Sequence, residues 1–567
     1  MPIQPQGLRK PQADQTSDQT GFFENDSWLT PDLTPLWLAN QAAAAPAPAT
    51  PAADSSATIA LYGNFCSVAA TVTTASSSTT SGSTTTSTST VAATSTTKTA
   101  APAWVSTLTN AAIKADMTAA ITNGTVTYAG LLKVFTDIDA SLAATKTKLS
   151  ASQLADLKTI AANLNNGVST SSYLTYITQA FVNGNAANAT WTGGAASSVA
   201  LGNLAANATE LQFAELIGKW FLGTDLPSSK VILGNTQFSV SYSNSTKPLF
   251  AAAGASINDI NQGYLGDCYL LAGLAEVAYK EQSVISSMFT ANGNGTYGVR
   301  FYVNGAARYV TVNSALANGG TIFNNGGSDI WASLAEKAYA ELQASGVYTG
   351  NSINYGNSYT TIGNGGAPEI ALEAITGASQ ITDFRAMGGS WGKVVYNSSF
   401  GVTGYTTGNA TSSVLATIAA SLAAGDDVIL SSYTNAKDST GKTTLVASHA
   451  MSIYGYNSAN GMLQVRNPWG SANGQYWQTT FEVSLATLLA AGDTITIDNV
   501  GDAKKIASAT TTTSSGLKLT SDVNDLAGTA SGFVQAIASL TDGGSSNIAF
   551  TQGLASQQRT LAMPMAA

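Results

Sequence analysis

The sequence predicts an α+β core preceded by a small all-α domain, with low-complexity segments at either end. Three observations predict it. Apolar residues between Trp104 and Leu222 recur at the three- and four-residue spacing of amphipathic helices. Beyond residue 230, strand-like alternation and an Asn-Gly turn are interspersed with helical signals. Elsewhere Ser, Thr, Ala, Gly and Pro dominate, and such stretches bury too little apolar surface to offset the entropy of ordering them. At 567 residues a single core is not expected, so separate units are.

Taken in order, residues 1–55 are rich in Pro, Gln, Asp and Ala and read as a disordered N-terminal segment. Within 56–100, a short apolar stretch from Ala57 to Tyr62 ends near Cys66, and an almost pure Ser/Thr/Ala tether follows from residue 71. Such a tether is open to proteolysis. Residues 101–228 read as a domain of four to six helices. Leu131, Leu132, Val134, Phe135 and Ile138 share one face, as do Leu154, Leu157, Ile160 and Leu164. Ser150 with Gln153, and Thr209 with Gln212, have capping-box spacing, and Gly223 supplies a stop after Trp220 and Phe221. Residues 231–500 form the mixed core: Val299–Val303 and Arg308–Val312 flank Asn304-Gly305 as a hairpin, with helical signals at 268–280 and 330–343. Residues 501–567 return to a low-complexity tail with a weakly helical stretch at 531–540.

Charged residues make up only 10% of the chain, against roughly 25% in ordinary globular proteins. The net charge is -9 and Lys and Arg do not cluster, which argues against nucleic acid or an anionic membrane surface as a partner. No apolar run reaches the length of a membrane span. Met1–Gln19 is polar throughout, so no secretory leader is visible. The two cysteines, Cys66 and Cys268, can make neither a disulfide framework nor a metal site by spacing. A bridge between them would block the Cys268 thiol.

The chain contains one histidine, His449, so chemistry that needs an imidazole has one candidate. The chemistry-bearing segments are two. In Asp259-Ile260-Asn261-Gln262-Gly263-Tyr264-Leu265-Gly266-Asp267-Cys268 the glycines mark a tight turn, and the apolar residues after Cys268 form a helix. A thiol at a helix N-terminus is expected to have a lowered pKa. The Gln262 amide and the Cys268 backbone N–H can converge as an oxyanion hole. The second segment is a hairpin in which His449–Tyr456 runs out, Ser458–Gly461 turns and Met462–Arg466 returns. Folding back brings Asn467 to His449, where its oxygen fixes the imidazole tautomer and Trp469 shields the bond from water. A lone cysteine or histidine is more often structural; it is the four residues together that point to thiol chemistry.

These segments resemble the calpains, calcium-dependent cysteine proteases with a papain-like core split into a helical lobe and an antiparallel β lobe. The resemblance rests on Gln262-Gly263-Tyr264-Leu265-Gly266-Asp267-Cys268, His449-Ala450-Met451-Ser452, Arg466-Asn467-Pro468-Trp469-Gly470 and Trp331-Ala332-Ser333-Leu334-Ala335-Glu336-Lys337-Ala338-Tyr339-Ala340. It covers roughly residues 250–500. It implies Cys268 as nucleophile, His449 as base and acid, Asn467 as orienter and Gln262 in the oxyanion hole. Gly365-Gly366 resembles the family's cleft-lining glycines, so Gly366, Ser448 and Trp469 are the expected substrate-binding residues. The resemblance also implies one calcium ion in the first lobe, with Asp259 and Glu336 as carboxylate ligands and carbonyls at Ala252 and Gly254; such hard oxygen donors suit calcium. No organic cofactor is implied.

The sequence departs from the family pattern at Tyr269 (usually Trp), at Ser448 (usually Gly), and at Ser471-Ala472-Asn473-Gly474, where acidic residues of a second calcium site are expected. The helical domain lies outside the resemblance. The function implied is a calcium-dependent cysteine endopeptidase acting on protein or peptide through a thiolate acyl-enzyme, with the tether as a self-processing site and residues 101–225 as an inhibitory or targeting unit. The same triad also suits acyl transfer. The alternative is a surface or adhesive protein that uses a catalytically degenerate protease fold for binding. Composition resembles bacterial proteins exported without a leader, so a secreted or cell-surface location is expected, with a cytoplasmic one open.

Overall fold

The computed structural model describes residues 101–319, 322–351 and 354–501. The expectations for residues 1–100, Cys66 and the tether among them, and for 502–567 lie outside the described residues. The amphipathic pattern after residue 101 forms helices Ala103–Ser106, Ala111–Ala120, Tyr128–Thr145, Ala151–Asn163, Ser172–Asn183 and Glu210–Ile217. Leu131, Val134, Phe135 and Ile138 are buried on one face of the third, as period 3.6 requires. Ser150 and Gln153 exchange both capping bonds. Thr209 makes only half of its box: its hydroxyl accepts from Gln212 N, while the Gln212 amide donates at 3.0 Å to the Leu201 carbonyl. The last helix runs into a π turn, Gly218–Leu222, and stops at Gly223 with φ 58°. Among the described residues no helix is long and apolar enough to cross a membrane.

The core that follows has two lobes. The first contains helices Cys268–Lys280, Trp331–Leu342 and Pro368–Thr376 and a three-stranded antiparallel sheet, Phe289–Ala291, Thr296–Val303 and Ala306–Asn313. The Asn304-Gly305 turn has φ of 54° and 76°, the doubly left-handed geometry of a tight hairpin. Helix Cys268–Lys280 is buried from Tyr269 through Ala278, which explains its unbroken apolar run. The second lobe is an antiparallel sheet of eight strands, in spatial order Val402–Asn409, Ser390–Asn397, Gln380–Met387, Thr494–Asp498, Val428–Ser432, His449–Asn457, Met462–Arg466 and Thr480–Val483. The cysteine helix lies against the histidine strand, with Ser452 Oγ donating to the Ala272 carbonyl at 2.8 Å. Gly273 lacks a Cβ because one would stand 2.9 Å from Ile375 Cδ1.

The helical domain docks on the three-stranded sheet of the first lobe. Tyr309 of the hairpin is buried in the helical domain's own core, where its ring lies 5.7 Å from Tyr173 and 5.5 Å from Tyr176. Tyr173 and Thr311 share a hydroxyl bond of 2.8 Å, and Thr311 also donates to the Trp220 carbonyl at 2.5 Å. A Cβ on Gly298 would sit 2.5 Å from the Tyr173 ring. We expect Gly298→Ala to destabilise the protein by about 1–3 kcal/mol through overpacking, read as a lower melting midpoint.

The same junction buries Glu341, whose carboxyl is pushed up to about 8 by burial, with Lys337 opposing. A carboxyl raised on folding adds stability at low pH that is lost as pH rises from about 4.5 through about 8. Glu341→Gln is therefore expected to melt higher than wild type near pH 9, with the gap closing towards pH 5.

Candidate active site

Cys268 opens its helix, with Asp267 at the N-cap. Its Sγ accepts from the Ala450 backbone N–H at 3.4 Å, which places the thiol against the residue that follows His449. His449 begins the strand paired with Val428–Ser432, in register with Ser432, and is 7% exposed. Its Nε2 lies 2.9 Å from Asn467 Oδ1, which also accepts from the Trp469 backbone N–H at 3.0 Å. An oxygen that already accepts from a backbone N–H must be the acceptor for the imidazole too, so Nε2 carries the proton and Nδ1 keeps its lone pair. Asn467 is fully buried, and Trp469 covers the bond with its ring 4.9 Å from the imidazole.

The expected lowering of the thiol pKa does not occur in this conformation. Burial pushes the Cys268 thiol up to about 11; the Ala450 N–H opposes it, and the neighbouring Asp267 charge adds to it. Burial likewise lowers His449 to about 4, with the Asn467 bond opposing. Loss of water outweighs the helix terminus, and the pair rests as neutral thiol and neutral imidazole near neutral pH.

Gln262 is 3% exposed, and its amide donates to the Leu265 carbonyl at 2.8 Å and towards Asp267 Oδ1 at 3.4 Å. As placed, those bonds draw the amide inward to Asp267 rather than to the expected oxyanion position. Asp267 and Glu336 are both buried and perturb one another: burial raises both carboxyls, and the Asp267 charge raises Glu336 further. Sequence reasoning missed this pair. Asp267 read as part of a turn, and only its place directly before Cys268 marked it.

Gly366 is a glycine because of close approach: a Cβ would stand 2.3 Å from Tyr269 Cζ and 2.6 Å from the Thr349 carbonyl. Its neighbours Gly363 and Gly365 exchange backbone bonds with Gly266 in the cysteine loop, at 2.8 and 3.0 Å. Ser448 is exposed and left-handed at φ 56°, a conformation that favours the glycine usual there. The rims of the two lobes also join, with the Gln262 N–H donating to the Pro468 carbonyl at 2.9 Å.

For calcium, the donor chemistry is two carboxylates and two carbonyls. Asp259 Oδ2 accepts from Ser256 N and Trp331 Nε1, each at 2.7 Å, and Glu336 Oε1 accepts from Asn324 N at 3.0 Å. Asn324 stands between the two residues, donating its amide to the Asp259 carbonyl at 3.2 Å. Among the described residues no group of three or more His, Cys, Asp or Glu is placed to hold a metal. A hard-oxygen set of this kind suits calcium, and Glu336 would have to turn from Asp267 to join it.

A cysteine and a histidine–asparagine pair on adjoining faces of two lobes is the arrangement of a thiol protease core. Residues 236–484 match the family described as calpain family cysteine protease. That segment is a calpain-family cysteine protease domain. Calpain-8 of Homo sapiens is 28% identical over 238 residues, covering 39% of this chain and 29% of that protein. The calpain-2 catalytic subunit of Gallus gallus is 36% identical over 107 residues, 17% of this chain and 15% of its own. The chain thus spans under a third of the length of these relatives.

Proposed function

We propose that this protein is a calcium-dependent cysteine endopeptidase. The observation that carries the reading is the Asn467 oxygen held between His449 Nε2 and the Trp469 N–H, because it leaves His449 Nδ1 with the lone pair a base needs, in the residue next to the Ala450 N–H that meets the thiol. His449 takes the Cys268 proton as the sulfur attacks the peptide carbonyl, and then protonates the departing amine. The Cys268 N–H, joined by the Gln262 amide once it turns from Asp267, stabilises the oxyanion. Water then releases the acyl group.

Asp259 and Glu336, with the carbonyls of Ala252 and Gly254, are the residues that would hold calcium. When bound, calcium supplies the positive charge that compensates these carboxylates. With Glu336 engaged there, Asp267 loses its carboxyl partner one residue from the nucleophile, and the Gln262 and Cys268 segment rearranges. Cleavage of the chain's own Ser/Thr-rich tether and a secreted or cell-surface location are further parts of this reading.

The test is labelling with an epoxysuccinyl probe and hydrolysis of a denatured protein substrate, each with calcium and with chelator. Covalent labelling at Cys268 and calcium-stimulated cleavage, both lost in Cys268→Ser, are expected. An unlabelled Cys268 under both conditions would sink the reading.

A further inference from the structure

The cysteine helix carries a second set of ionisable groups at the end away from Cys268, and the mechanism uses none of them. Glu276 and Lys280 lie there one turn apart, with Lys280 Nζ 2.9 Å from Glu276 Oε1. The other lobe meets them with three carboxyls: Asp426 and Asp427 lead into strand Val428–Ser432, and Asp498 ends strand Thr494–Asp498. Lys280 reaches across to donate to the Asp426 carbonyl. Asp498 Oδ1 accepts from Asp427 N at 2.8 Å, and Asp426 Oδ1 accepts from Gly501 N at 2.9 Å. All four carboxyls are buried. Asp427 Oδ1 and Asp498 Oδ2 accept from no donor among the described residues.

One ammonium thus faces four carboxyls in a buried joint, too little positive charge to compensate them all if they ionise. Burial pushes Glu276 up to about 7, with Lys280 opposing and Asp498 adding, and pushes Asp498 up to about 6. Burial and then the Asp498 charge hold Asp427 well above the ordinary carboxylate range. Burial works against the charge on Lys280, but Glu276, Asp427 and Asp498 together keep it protonated. Carboxyls raised on folding add stability that is present below their ordinary values and is lost as pH rises through about 6 to about 7. We infer that this cluster is a proton-operated joint between the lobes, which holds the cysteine helix to the second lobe while its carboxyls are protonated and loosens as they ionise. Ionisation sets like charges side by side where little water screens them. The helix is one continuous element, so slack at its far end is felt at its start, where Cys268 Sγ meets the Ala450 N–H. The inference goes beyond the endopeptidase reading and does not depend on it.

The experiment modifies Cys268 with a dipyridyl disulfide in the calcium-free full chain, from about pH 6 to about pH 8.5, read by mass spectrometry on the peptide that carries Cys268. Wild type is compared with Glu276→Gln and Asp498→Asn, which remove a charge and keep the side-chain volume; the amide oxygen of the second can still accept from Asp427 N. Taking the ratio of wild-type to variant rate at each pH cancels the titration of the thiol itself. That ratio is expected to stay near one at the acid end and to climb about fivefold or more by the alkaline end, the low end of coupling between linked sites. Glu341→Gln, which removes a buried carboxyl at the other junction, is expected to shift the melting midpoint without moving the ratio. A ratio that stays flat in each variant that melts cooperatively overturns the joint. A climb of equal size in Glu341→Gln also overturns it, by tracing the effect to global stability.

Discussion

His449→Ala is expected to abolish peptide hydrolysis, with a fall in kcat on the order of 10⁴-fold or more, while at neutral pH the melting midpoint stays near that of wild type. The chain holds no second histidine, so no other imidazole is available to take over the proton. The loss should appear in kcat rather than in KM, because in the proposed mechanism His449 moves protons, and its ring is largely buried against Trp469. The variant also removes a pH-sensitive element. Because folding lowers His449 from 6.5 to about 4, its neutral state adds stability above pH 6.5 that is lost as pH falls through about 4. Thermal melts of wild type and variant should therefore diverge across that window if the loop is otherwise intact. Substantial residual turnover in the variant would remove His449 from the mechanism.

Alkylation of Cys268 by iodoacetamide at neutral pH, with calcium chelated, is expected to be about a hundredfold slower than for a thiol at its ordinary value. The figure follows from a shift of the thiol from about 9 to about 11, since the thiolate is the reactive species. Calcium should raise the rate towards or beyond that of an ordinary thiol, by rearranging the segment that Asp267 and Glu336 hold. Glu336→Gln should blunt the calcium effect without preventing alkylation in denaturant. Equal rates with and without calcium in wild type would separate the resting thiol from any calcium switch and leave the triad untouched.

The parts of the site legible in the sequence are those set by local rules. His449 opens one strand and Asn467 directly follows the end of the next, so period-two alternation and a turn glycine at φ 74° suffice to bring them together. The Cys268 helix was legible for a similar reason, as a long apolar run beginning after a glycine turn. What escaped depends on partners distant in the chain. Asp267 is perturbed by Glu336 from another helix, and nothing in the spacing of either announces that two buried carboxyls influence one another. The thiol pKa was misjudged because a helix terminus is visible in sequence whereas the depth of water around it is not. The aromatic contacts that merge Tyr309 with the helical domain's core are likewise a matter of which surfaces meet, which periodicity does not specify.

The backbone bond from Gln262 to Pro468 and the Arg466 guanidinium on the Ile257 carbonyl at 3.2 Å join the two lobes at one rim, and Ser452 Oγ on the Ala272 carbonyl joins them again between the cysteine helix and the histidine strand. Joints made at two places resist turning as well as separation. The two lobes are thus expected to move as one body until one of these joints breaks.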